Sequence, residues 1–228
     1  MKYFANTSIA LCMALIFLFT SVAHAETNIP IENLSEPYKT LNYFKIFQGD
    51  ENGMLNIDKN ITRAEMCKVM CCTMNIDTSD SLPVNVLMFR DVNTTDWFYN
   101  YVHQAYSLNL ICGNDKGYFE PNANILYRDV IKIIVTALGY ADLAENNGGY
   151  PNGYIDVASE LGLTKDLLIC DMESAVRGDV AIIINNALDV PLMEEGFIMD
   201  GNNGYPYKTF RYMLEMQFSN KYFTGKKN

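Results

Sequence analysis

Three arginines carry the chemistry that this sequence offers. Arg63 stands inside Ile61-Thr62-Arg63-Ala64-Glu65, and Arg128 and Arg177 recur at places that the spacing presents as equivalent. Thr62 and Glu65, three residues apart, form a capping box, so a helix is expected to open here. Ile61 and Met66 flank it as a hydrophobic staple would. Arg63 then falls on the first helical position, where the positive end of the helix dipole disfavours a cation. A local cost of that kind points to an anion that the arginine is there to meet. A guanidinium fork grips a carboxylate through two parallel hydrogen bonds, and unpaired first-turn N–H groups add to the attraction. An aromatic face nearby would cover the apolar side of a sugar ring. The competing reading is an internal bridge from Arg63 to Glu65 or to an acidic residue of another unit.

Other chemistries fit poorly. Asp50-Glu51-Asn52-Gly53 begins like a calcium loop, but Met54 takes the fifth ligand position and Leu55 the place of the turn glycine. There is no G-x-S-x-G and no phosphate loop, and His103 is the last histidine once a leader is removed, so neither a triad nor a zinc site can be built. Carboxylates are plentiful, yet no pair stands out as a hydrolase couple. The expectation is a protein without catalytic residues, metal or cofactor. With Lys2 gone, 16 basic against 27 acidic residues leave the mature chain at net −11, which argues against broad nucleic-acid binding. Five cysteines remain, Cys67, Cys71, Cys72, Cys112 and Cys170, an odd number without CxxC pairing. Cys67 and Cys71, one helical turn apart among Met66, Val69 and Met70, are expected as small apolar core residues.

The elements that must position the arginines can be taken in chain order. Met1-Lys2, the apolar run Ile9–Phe19 and Ala23-His24-Ala25 form a signal peptide over 1–25, with cleavage expected before Glu26. No later stretch is long and apolar enough to span a bilayer, so no membrane is expected after cleavage. Residues 26–37 form a polar linker. Helices are expected over Pro37–Phe47, Thr62–Met74, Trp97–Leu108, Arg128–Leu138, Tyr154–Leu161, Arg177–Leu188 and Phe210–Phe218. Trp97, Tyr101, Ala105 and Leu108 would share one face. Gly49 and Gly113 are 64 apart, as are Gly53 and Gly117, and Leu55 and Phe119, whereas Arg63 and Arg128 are 65 apart. The second copy is therefore expected to carry one extra residue before its arginine. Each copy is a helix, a glycine-bearing turn, a short extended piece and a helix opened at an arginine. One copy cannot bury its apolar face alone, so three should pack around a shared axis.

Phe89-Arg90-Asp91-Val92 with Trp97, then Gly113, Gly117-Tyr118-Phe119-Glu120-Pro121 and Arg128, resembles the S-layer homology repeat, and Ile61–Glu65 resembles its most recognisable motif. The third copy, Ala158–Leu163 through Val176-Arg177-Gly178-Asp179-Val180 to Leu188, is similar to the closing repeats of clostridial-type surface proteins. The resemblance implies an all-α fold, a three-pronged pseudo-trimer around a central helical bundle with short extended and loop segments. It places repeats at 38–76, 86–140 and 150–192, with a tail at 193–228. It further implies non-covalent binding of an anionic secondary cell-wall polymer, often pyruvylated, in grooves between repeats. Carried over by position, the binding residues are Arg63, Arg128, Arg177, Trp97, Asp96, Gly49 and Gly113.

The copies depart from the family pattern. The second reads Leu126-Tyr127-Arg128-Asp129, without the capping hydroxyl, and the third has Val176 for the threonine. Trp97 is the one tryptophan, so one or two working grooves are expected rather than three. The resulting expectation is a secreted protein of the cell wall or S-layer whose partner is a wall-linked glycan. The alternative is a surface assembly module that contacts other surface proteins, through the tail from Met193, without binding glycan.

Overall fold

The computed structural model describes residues 34–78, 89–165, 167–193 and 209–215. The expected signal peptide, most of the linker and most of the tail lie outside these residues. The described chain is helical: α1 (Glu36–Tyr43), α2 (Arg63–Thr73), α3 (Tyr99–Ser107), α4 (Tyr127–Ala137), α5 (Ala141–Asn146), α6 (Asn152–Glu160) and α7 (Arg177–Ala187). None of these helices is long and apolar enough to cross a membrane. The all-α expectation holds, and β pairing among the described residues is confined to isolated bridges.

Those bridges explain the architecture. Asn60 pairs with Val176, Thr62 with Asn124, and Leu126 with Ser174, so each short extended piece touches the other two. The N–H of Ile61 donates to the carbonyl of Ala175 at 3.0 Å, that of Ala175 to Ile125 at 2.8 Å, and that of Ile125 to Ile61 at 3.1 Å. Three hydrogen bonds therefore close a ring around the shared axis. All three residues are buried, so these backbone groups had to find partners inside the protein. The helices α2, α4 and α7 leave this ring and bury residues around most of their circumference, as central helices must. Outer helices then pair with them: α3 on α2, α6 on α4, and α1 on α7. The last pairing joins the first unit to the third and closes the arrangement.

The ring also fixes the register, and here one expectation is corrected. The first two helical N–H groups of each unit reach the preceding loop of a neighbour: Arg63 to Ala123 and Ala64 to Pro121, Tyr127 to Glu173 and Arg128 to Asp171, Arg177 to Lys59 and Gly178 to Ile57. Tyr127, not Arg128, thus stands where Arg63 and Arg177 stand. No residue is inserted; the 64-residue spacing continues through Ile61/Ile125 and Glu65/Asp129, and Arg128 sits one place further along. The third unit is the one that changes length. Leu110 and Leu163, which make the same hydrogen bond to the end of their helices, are 53 apart, but Ile125 and Ala175 are only 50 apart. Three residues have been lost from its turn.

Other boundaries move by a turn or less. α1 ends at Tyr43 because Lys45 takes a left-handed φ of 58°. α3 starts at Tyr99, so Trp97 and Leu108 lie outside it and are 56% and 41% exposed. The buried face is instead Tyr99, Val102 and Ala105. The short helix α5 was not expected from the sequence. Cys67 and Cys71 are buried as expected, and no described cysteine is in a disulfide. Burial pushes the Cys71 thiol up to about 12, so it stays protonated and unreactive. In the tail, residues 210–215 are helical, with Phe210 and Leu214 in the core and Arg211 paired to Asp189 at 2.8 Å.

Candidate functional site between neighbouring units

Two clefts lie where a helix start of one unit meets the glycine turn of the next. In the first, Arg177 faces the turn of the first unit, and the walls include Lys45, Gln48, Gly49, Glu65, Lys68 and Trp97; its volume is about 350 Å³. In the second, Arg63 faces the turn of the second unit, with Asn109, Cys112, Asp129, Lys132 and Tyr150 around about 420 Å³. The two match position by position. Gln48 corresponds to Cys112, Glu65 to Asp129, Lys68 to Lys132 and Val69 to Ile133, all 64 apart. The aromatic wall is Trp97 in one and Tyr150 in the other.

The turn in each cleft is built the same way. Asp50 Oδ1 accepts the N–H groups of Asn52 and Met54 at 2.9 and 3.0 Å. Asn114, 64 residues on, accepts those of Lys116 and Tyr118 at 3.0 Å each. These backbone bonds hold the Asp50 carboxyl below the usual carboxylate range. In the second unit, Asp91 adds a clamp, taking the N–H groups of Phe119 at 2.8 Å and Glu120 at 2.7 Å. Both predicted glycines are needed for close approach. A Cβ on Gly49 would lie 2.6 Å from the backbone of Gly53, and one on Gly113 would lie 2.6 Å from the ring of Phe89. Gly49 lines its cleft; Gly113 supports the turn from behind, beside Cys112.

Each arginine is held by the carbonyls of the neighbouring turn. Arg63 donates from Nε to the carbonyl of Phe119 at 2.8 Å and from Nη2 to that of Cys112 at 2.9 Å, and its guanidinium lies 4.7 Å from the centre of the Phe119 ring. Arg177 donates from Nε to the carbonyl of Leu55 at 3.1 Å and lies 5.5 Å from the Phe47 ring. Beyond these contacts the two arginines part ways. Arg177 Nη1 pairs with Glu65 Oε1 at 3.2 Å, so the internal bridge expected as the competing reading of Arg63 forms at Arg177 instead. Arg63 makes no ion pair among the described residues, because the matching carboxylate, Asp129, takes the Tyr150 hydroxyl at 2.6 Å instead. Burial and this hydrogen bond raise the Tyr150 phenol. Lys132 Nζ lies 5.0 Å from the same ring.

The third junction has lost these features. Tyr127 fills the arginine's place, accepts the N–H of Val176 at 3.3 Å and donates to Asp179 at 2.5 Å. Ile182 stands where Lys68 and Lys132 stand in the other units. Arg128 lines neither cleft. Its Nη1 contacts Met172 Sδ at 2.7 Å, its guanidinium is 5.9 Å from the Tyr150 ring, and its Nε is buried without a partner. Asp96 also lies off the cleft walls and caps a local turn, accepting the N–H of Asn93 at 2.7 Å.

Of the seven predicted site residues, then, Arg177, Gly49 and Trp97 meet in one cleft, Arg63 stands in the other beside Gly113, and Arg128 and Asp96 fall away. Sequence reasoning missed Lys68, Lys132, Asp129 and Tyr150. The 64-residue spacing marks the first three; Tyr150 had no such signal, because 18 residues separate it from Lys132 whereas 29 separate Trp97 from Lys68. On an acidic protein the clefts are local basic sites. The Arg177 cleft has four basic residues, Lys45, Lys59, Lys68 and Arg177, against Asp50 and Glu65, and the Arg63 cleft has Arg63 and Lys132 against Asp129. Such an arrangement suits an anionic ligand with an apolar face. Among the described residues no cluster of side chains could hold a metal ion.

The family model of the S-layer homology domain matches residues 39–67 and 89–131, which include Arg63, Trp97 and both glycine turns. The chain is 30% identical over 200 residues to the middle cell wall protein of Brevibacillus brevis, 86% of this chain and 19% of that protein. It is 29% identical over 188 residues to a cell surface protein of Thermoanaerobacter kivui, 79% of this chain and 24% of that one. A surface layer protein of Brevibacillus choshinensis is 27% identical over 198 residues, 86% of this chain and 18% of its own length. The chain therefore spans about a fifth of the length of these relatives.

Proposed function

The chain carries S-layer homology repeats, and from that premise we propose that it attaches non-covalently to the bacterial cell wall by binding an anionic wall polysaccharide in the Arg63 and Arg177 clefts. The single observation that carries the reading is the pair of matched clefts: in each, an arginine from one unit meets a glycine turn and a lysine from the next, the turn and lysine repeating at 64-residue spacing, beside an exposed aromatic side chain. The guanidinium supplies the carboxylate grip, the lysine adds charge, and Trp97 or Tyr150 covers the apolar face of a pyranose. Two clefts work, and the Tyr127 junction does not, because Tyr127 and Ile182 fill the places of the matched arginine and lysine. The role is that of a surface anchor without catalysis, located at the cell wall. The assembly-module alternative loses part of its proposed contact element, since Phe210 and Leu214 are buried in the chain's own core.

The test is co-sedimentation of the protein with purified wall sacculi. Arg63→Ala combined with Arg177→Ala should leave the protein in the supernatant while its thermal unfolding stays cooperative. Full co-sedimentation of the double variant would sink the proposal.

A further inference from the structure

The matched clefts differ at several positions, and one pair, Glu65 and Asp129, decides whether the arginine is free. In the Arg177 cleft, Glu65 spans two jobs. Its Oε2 accepts the Thr62 N–H at 2.9 Å to complete the capping box, and its Oε1 takes Arg177 Nη1 at 3.2 Å. In the Arg63 cleft the corresponding residue is one methylene shorter, and Asp129 is occupied by Tyr150 at 2.6 Å. Arg63 is left with two carbonyl acceptors and no carboxylate among the described residues. A carboxylate ligand arriving at Arg63 replaces nothing that is charged. At Arg177 the same ligand must displace Glu65 or share the guanidinium with it, at the cost of two like charges side by side.

We propose that the two clefts are unequal, with the Arg63 cleft the high-affinity site for a glycan carboxylate and the Arg177 cleft weakened by Glu65, which occupies its arginine. This rests on the wall-binding reading and adds to it a division of labour. Glu65 is the specificity-determining residue. In the Arg177 cleft, contact with uncharged sugar through the Trp97 face carries more of the binding, while in the Arg63 cleft the carboxylate does. Tyr150 is a positioning residue, because it holds Asp129 away from Arg63.

The protein contains its own reporters. Trp97 is its one tryptophan and lines the Arg177 cleft, and Cys112 is exposed and lines the Arg63 cleft. Soluble glycan released from sacculi by muramidase is titrated into the full chain. Trp97 fluorescence is followed alongside peptide-resolved alkylation of Cys112 in a Cys170→Ser background. Cys112 protection should be half-complete at a glycan concentration about twofold to fivefold below that of the Trp97 response, the range set by relieving a partly exposed ion pair. Glu65→Gln retains the capping box, which accepts glutamine, and should bring the Trp97 midpoint down towards that of Cys112. Asp129→Glu with Tyr150→Phe should move the Cys112 midpoint the other way. Equal midpoints in the unaltered protein, or a Trp97 midpoint that Glu65→Gln leaves in place, overturn the inequality while leaving wall binding intact. Silence of both reporters overturns the wall-binding reading itself, and the inequality with it.

Discussion

At the scale of single residues, Tyr127 gives the sharpest contrast with its counterparts. It occupies an arginine's place, is buried, and donates to Asp179. Burial first and that hydrogen bond second push its phenol from an ordinary 10.0 up to about 12. The folded state thus favours the protonated phenol, so this contribution to stability is whole below about pH 10 and is lost as pH rises through about 12. Tyr127→Phe should remove one late-ionising phenol from the spectrophotometric titration of the native protein and should make the fold less sensitive to alkali. An unchanged alkaline unfolding midpoint would contradict this account of Tyr127. Trp97 makes the opposite case. At 56% exposure it contributes little to the core. Trp97→Ala should therefore leave the unfolding temperature within about 2 °C, on the small cost usual for surface substitutions, while weakening glycan binding at the Arg177 cleft.

At the scale of elements, the start of α2 was fully legible in the sequence. Thr62 accepts the Glu65 N–H at 3.2 Å and Glu65 returns the bond to the Thr62 N–H at 2.9 Å, with Ile61 and Met66 both buried beside it. Thr62→Ala should cost about 1 kcal/mol in denaturant unfolding, the usual worth of such a cap. No loss would mean the box is idle. The α4 start is misread when arginine is followed as the marker. The backbone ring, which is a long-range feature, sets the register there, and Ile61, Ile125 and Ala175 mark it better than any charge. The face of α3 is misread for a related reason. Helical spacing from Trp97 fits an amphipathic stripe, but Asp96 turns the chain just before it and the helix begins two residues later. Tyr150 has no local pattern to mark it, since the loop that carries it differs in length from the one that carries Trp97.

At the scale of the whole molecule, three units that are unequal in length and in charge are held in one arrangement by the ring and by α1 packing on α7. Ile61 contributes both its backbone and a fully buried side chain to that axis. Ile61→Ala should destabilise the protein by about 2–5 kcal/mol, the range for a large-to-small change in a packed core. Cooperative unfolding at a clearly lower denaturant midpoint is the expected readout. Loss of one unit alone, with the others intact, would contradict a shared core. The same axis presents two basic clefts on a chain of net charge −10. Attachment should accordingly weaken with added salt, which screens exposed charges. The central claim is that attachment is to an anionic polymer of the wall, and the most direct measurement compares sacculi before and after that polymer is stripped with acid. The account predicts that the protein pellets with intact sacculi and stays in solution with stripped ones. Equal pelleting with both would contradict it.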